Sequence, residues 1–235
     1  MNFDGFDFDD NIKQTFNTLD IQGRVPHAVV IESRDSEKAM SLAVFLSMYA
    51  VCTAPIKPCG SCEQCHKARN KAHPDIKYVE LPKDRKQNSI EQMREIIKDS
   101  IIKPNDSNAK VYIFPFADTR LSEIVQNSFL KLLEEPPQNV YFILLCENSK
   151  KLLTTILSRA SVFRLKTKDV FSEDAVEGAR KIIKGILSAK EYELMQALYA
   201  LSDKSLADEI LLAVKLFLRD GMAKSIGADA VFDEE

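Results

Sequence analysis

The chain has 235 residues, 45% apolar and 29% charged, with 32 basic against 35 acidic residues and a formal net charge of −3. That balance excludes wholesale disorder and gives no overall pull towards nucleic acid; no apolar run reaches the ~18 residues of a membrane span. The opening MNFDGFDFDD lacks the basic and apolar regions of a signal peptide, so a cytoplasmic protein without membrane contact is expected.

Residues 9–22 carry Ile12, Phe16 and Leu19 near helical spacing and predict a helix. HAVVIE, residues 27–32, is a short β-branched run that predicts a strand buried on both faces. Asp35 or Ser36 can cap the helix that follows, to about Cys52. Two prolines exclude helix from 53–58, and 62–72 reads as a short helix ending before His73-Pro74. The alternation continues with a strand at 76–81 and a helix from Ser89, its N-cap, to Ile102. A strand at Lys110–Phe114 is followed by a helix from Thr119 to Glu135, stopped by Pro136-Pro137. Val140–Cys146 is the most apolar strand; a helix around 152–157 and a strand at 161–165 follow. Strands alternating with helices imply a parallel sheet covered on both faces. From Ser172 to about Ile226 every element reads as helix. The boundary is therefore expected at 166–171, dividing an α/β domain (1–166) from a helical one (167–235) with an acidic, frayed tail at 227–235.

Four of the five cysteines crowd into Cys52-x6-Cys59-x2-Cys62-x2-Cys65. Two thiolates two residues apart grip one ion, and Gly60-Ser61 permits the tight turn between them. Four thiolates make a closed tetrahedral shell with no open position for water, which points to structural zinc. Disulfides are disfavoured because nothing suggests secretion. His66 and His73 are alternative ligands that four cysteines make unnecessary. Cys146 reads as a small buried residue.

The turn after the first strand is where a nucleotide-binding α/β domain carries its Gly-rich phosphate loop. Here it reads Glu32-Ser33-Arg34-Asp35-Ser36-Glu37-Lys38, with no glycine, three carboxylates and one lysine. The third strand, where magnesium-binding carboxylates belong, ends in Phe114-Pro115-Phe116. Asp118 comes two or three places late and reads as a helix N-cap. Two parts of an ATP site are thus missing together, and no ATP is expected to bind this chain.

The order His27-Ala28-Val29-Val30, the four-cysteine module, His73-Pro74-Asp75, Ser128 to Pro137 (SFLKLLEEPP) and Thr155-Ile156-Leu157-Ser158-Arg159 resembles the delta-prime family of bacterial DNA polymerase III clamp-loader subunits, over residues 10–166. The resemblance implies an AAA+-like parallel five-stranded sheet flanked by helices, with a zinc module inserted at about 52–73 and a helical C-terminal region. It implies a non-catalytic subunit that braces a neighbouring ATPase. Its partners would be the clamp-loader motor subunits and the delta subunit, with primed DNA and the sliding clamp met indirectly. It assigns Arg159 the part of an arginine finger acting in trans on the neighbour's ATP; the guanidinium is always charged and can bridge phosphate oxygens. Ser158-Arg159-Ala160 has Ala where the family has Cys, a small loss of volume. Glu134-Glu135 read as a solvated helix end. Residues 211–228 look like the start of the family's collar, which implies a shortened collar and no lid. The competing readings are a zinc-containing nucleic-acid-binding protein, using Lys57, Lys67, Arg69 and Lys71, and a degenerate AAA+ paralogue acting only as an interaction module. An active ATPase is opposed by the missing glycines.

Overall fold

The computed structural model describes residues 1–81, 85–165, 171–188, 191–199 and 204–225. The chain divides into two compact units, Met1–Thr167 and Lys168–Glu235. The segment 166–170 of the expected boundary and the tail 227–235 lie outside the described residues.

The first unit runs α1 (Asp10–Ile21), β1 (Ala28–Glu32), α2 (Ser36–Val51), α3 (Glu63–Arg69), β2 (Ile76–Tyr78), α4 (Ile90–Ser100), β3 (Lys110–Phe114), α5 (Ala117–Arg120), α6 (Glu123–Glu134), β4 (Val140–Cys146), α7 (Thr154–Leu157) and β5 (Ser161–Arg164). The five strands form one sheet in the order β2-β3-β4-β1-β5. Every pairing is parallel, with Val30 opposite Leu144 on one side and Val162 on the other. This is the parallel five-stranded sheet flanked by helices that the alternation implies.

The period of two along each strand sorts side chains onto two faces. Val29, Ile31, Val111, Ile113 and Ile143 point to one layer, where Phe16 of α1 and Leu42, Phe45 and Met48 of α2 complete the core. Ala28, Val30, Tyr112, Phe114, Phe142 and Leu144 point to the other, against Phe129 and Leu133 of α6 and Ile156 of α7. Helices cover both faces, which is why β1 and β4 are apolar almost throughout instead of alternating with polar residues.

The N-terminal segment is part of the core. Phe3 stacks on Phe45 at 4.8 Å, while Phe6 and Phe8 meet the same ring edge-on at 5.2 and 5.4 Å.

Two expected elements differ. The helix expected from Thr119 to Glu135 is two helices, broken at Leu121-Ser122. Both of these residues are extended. Buried Gln126 donates its side-chain N–H to the Leu121 carbonyl at 2.8 Å, taking the acceptor that a continuous helix would need for its own ladder. The strand expected over 76–81 ends at Tyr78, although Val79 N–H still reaches the Ile113 carbonyl.

The second unit consists, among the described residues, of α8 (Glu173–Ser188), α9 (Glu191–Tyr199) and α10 (Lys204–Ser225). They close on a small core of Ala175, Ala179, Ile182, Ala197, Ile210, Ala213 and Val214. Small residues set the approach: a Cβ on Gly185 would lie 2.8 Å from the Leu194 Cα. No helix among the described residues is long and apolar enough to cross a membrane.

Candidate functional site

The four cysteines come together. Their sulfurs all lie within 4.8 Å of one another, with Cys59–Cys65 and Cys52–Cys62 both at 4.0 Å. An ion held at ~2.3 Å by four tetrahedral sulfurs sets them about 3.8 Å apart, so the cluster needs only a slight contraction to hold one. Local structure builds it. Cys52 follows the last turn of α2, Cys62 caps α3, and Cys65 sits in the first turn of α3. Gly60, at φ +73°, makes the turn that brings Cys59 and Cys62 side by side. Backbone N–H groups of Cys59, Cys62 and Cys65 point at the sulfurs of Cys52, Cys59 and Cys62 at 3.3–3.4 Å.

These groups differ in acidity. N–H groups of Ser61 and Cys62 pull Cys59 down to about 6, whereas burial pushes Cys52 and Cys65 up. Four thiolates cannot coexist in this volume without a cation, and a bound metal supplies that compensation. The donor set therefore fits a metal ion.

His73 is not a ligand. Its Nδ1 accepts the Asp75 N–H at 3.0 Å, which leaves Nε2 to donate to Gln64 Oε1 at 2.7 Å. Asp75, 1% exposed, in turn gathers the N–H groups of Asn105, Asp106 and Ser107 at 2.6–2.9 Å, and the Ser107 hydroxyl. Lys67 of α3 closes the bracket on Asp106 at 2.7 Å. The His73-Pro74-Asp75 motif thus ties the cysteine module to β2 and to the loop before β3.

Burial alone would raise the Asp75 pKa; the three backbone N–H groups and the hydroxyl outweigh it and hold the carboxyl below its usual range. A depressed carboxyl contributes stability that is complete above its unfolded pKa of ~3.9 and is lost as pH falls through the folded value. Asp75→Ala is therefore expected to cost about 2–3 kcal/mol in urea denaturation at pH 7. The gap between parent and variant should close only below about pH 4. A pH-independent gap would remove the charge from this account.

Three of the four basic residues that a nucleic-acid reading needs are engaged by other groups of the first unit. Lys67 pairs with Glu63 and Asp106, Arg69 lies over the Phe6 ring at 5.6 Å, and Lys71 over Tyr78 at 5.7 Å.

At the carboxyl ends of the strands, where open α/β sheets bind ligands, the chain's own charged groups pair with one another. Asp35 caps α2 by accepting the Lys38 N–H at 2.9 Å, and the Lys38 ammonium faces Asp9 at 3.6 Å. Glu32 is held by Arg164 at 2.8 Å and by the Ser149 hydroxyl at 2.9 Å. Between Ser33, Met40, Phe116 and Cys146 remains a cavity of about 40 Å³. Asp118 is not the N-cap that the sequence leads us to expect; it lies inside α5, and Phe116 in the left-handed region holds the cap position. Its Oδ2 accepts the Asn148 N–H at 3.3 Å, while its buried Oδ1 has no partner. Cys146 is buried as expected. Burial, with the charges of Asp118 and Glu32 behind it, pushes its thiol up to about 12.

Arg159 belongs to the opposite face of the sheet from the cysteines, since Cys52 and Cys65 join the α2 core layer and Ile156 joins the α6 layer. It follows α7, and its Nη1 donates to the Thr155 carbonyl at 2.9 Å and to Ser158 Oγ at 3.1 Å. Its Nη2 lies 2.6 Å from Glu134 Oε1. Sequence reasoning left Glu134 as a solvated helix end, and it missed Gln126, whose Oε1 accepts the Leu153 N–H at 2.8 Å and so seats α7 on α6. A signal for Gln126 existed: it falls on the same helical stripe as Phe129 and Leu133, where a polar residue needs a buried partner.

A five-stranded parallel sheet flanked by helices, with a four-cysteine module between α2 and β2, defines the class of protein. The family model described as DNA polymerase III, delta subunit, matches residues 8–169, and the chain belongs to this family. It is 33% identical to DNA polymerase III subunit delta' of Haemophilus influenzae, over 88% of this chain and 62% of that protein. The same subunit of Bacillus subtilis is 29% identical, over 63% of this chain and 44% of that one. DNA polymerase III subunit tau of Salmonella typhimurium is 31% identical, over 81% of this chain and 29% of tau. The chain thus spans about three fifths or less of the length of these relatives.

Proposed function

We propose that the chain is a non-catalytic, delta'-type subunit of the DNA polymerase III clamp loader. It braces a neighbouring ATPase subunit and presents Arg159 to the ATP bound there. The single observation that carries the non-catalytic part is the small size of the strand-end cavity. A cavity of about 40 Å³ compares with ~300–1,000 Å³ for ordinary small-molecule sites. The first turn of α2, which would face a phosphate, is capped by Asp35, and a carboxylate there repels a triphosphate.

The four cysteines are assigned structural zinc, because an all-thiolate shell leaves no open coordination position. Similarity to subunits named delta' and tau supports motor subunits as partners, with delta, the clamp and primed DNA further out in the same assembly. Exposed Leu187, Leu218 and Met222 on α8 and α10 support a collar-like role for the helical unit. A cytoplasmic setting follows from this function.

Titration calorimetry of the chain with Mg-ATP tests the core of the reading. No saturable heat is expected, and micromolar affinity would overturn it.

A further inference from the structure

Arg159 is not free to meet a phosphate as it stands. The Glu134 carboxylate holds its Nη2 at 2.6 Å, and the two side chains are 34% and 48% exposed. Glu134 is the last residue of α6, which Pro136-Pro137 prevent from running further. The same helix end is tied to the sheet, where His27 Nε2 meets the Leu133 carbonyl at 3.1 Å. One helical turn after its start, α6 also grips the backbone entering α7 through Gln126 and Leu153, and Ile156 of α7 is fully buried against its layer. A single rigid helix therefore fixes both the segment that bears the arginine and the carboxylate that faces it.

We propose that Glu134 is a latch on Arg159: it parks the guanidinium on a carboxylate until a neighbouring subunit's nucleotide offers phosphate oxygens in its place. The inference rests on the reading of Arg159 as a finger. A guanidinium binds carboxylate and phosphate through the same planar fork of N–H groups, so the two anions compete for one set of donors. A triphosphate carries more charge than one carboxylate and wins the exchange. The pair is half-exposed, so its release costs little, in the range of ~0.2–1 kcal/mol for such pairs. That cost still lowers the apparent affinity for the partner's nucleotide, because only the unlatched fraction of Arg159 is competent.

Glu134→Gln tests this. It keeps size and an acceptor oxygen while removing the charge, and because Glu134 is exposed it leaves the thermal melt of the chain unchanged. Parent, E134Q, R159A and the double variant are each assembled with the ATPase subunit, and ATP turnover and ATPγS binding are measured. E134Q is expected to tighten ATPγS binding by roughly 1.4- to five-fold, the conversion of a pair of this strength, with kcat unchanged. In the R159A background the same exchange is expected to do nothing. Unchanged or weakened binding in E134Q, a fall in its kcat, or an equal tightening without Arg159 would overturn the latch while leaving the finger intact. If R159A by itself leaves turnover unchanged, the finger reading fails first and the latch with it.

Discussion

Chain carrying Cys62→Ser is expected to purify with almost no bound metal, where the parent carries about one ion, since a four-thiolate site binds through all its ligands at once. Serine is a good N-cap, so the exchange preserves the cap of α3 that Cys62 provides and removes only the thiolate. Stability should fall by about 4 kcal/mol or more, the range in which loss of a metal belongs. The size follows from where the module is anchored. Cys52 and Cys65 are buried in the same layer as Phe45 and the N-terminal phenylalanines, so an opened cluster loosens that layer as well as the loop. Chelator treatment of the parent should reproduce the loss. Parent protein that is metal-free when prepared without chelator, or a variant that melts with the parent, would remove the metal from the account.

If Arg159 acts as the proposed finger, Arg159→Ala is expected to slow ATP hydrolysis at the neighbouring subunit's site by roughly 10³-fold, the lower end for a supplied arginine finger. The chain itself should fold normally. Arg159 is partly exposed, and α7 is held by Ile156 and by the Gln126–Leu153 hydrogen bond, neither of which the exchange touches. Turnover of the assembled ATPase, compared with the melt of the chain, separates the two effects. Equal turnover would leave Arg159 as a helix-end residue on the Thr155 carbonyl and nothing more.

Much of this was legible residue by residue. Ser89 and Asp35 cap their helices as their types suggest, and the strands at 28–32, 110–114 and 140–146 follow from continuous apolar runs. The cysteine spacing alone identified a site whose sulfurs do converge. The break at Leu121-Ser122 was hidden because the apolar spacing runs through it. Only the side chain of Gln126, turned back onto the Leu121 carbonyl, interrupts the ladder. The opening phenylalanines gave no structural signal because aromatic residues without periodicity predict no element, yet Phe45 gives them a ring to pack on.

By itself the sequence determined most of the elements, the parallel class of sheet, the four thiols and the glycine-poor turn, because periodicity, caps and short ligand spacing act within a few residues. The tertiary structure alone decided that Glu134 faces Arg159, that Asp75 brackets the 105–107 loop, and that Glu32 at the end of β1 meets Arg164. Each of those joins residues from different elements. Such a contact is set by how layers of side chains pack on the sheet, and no local pattern encodes which distant partner a charge will meet.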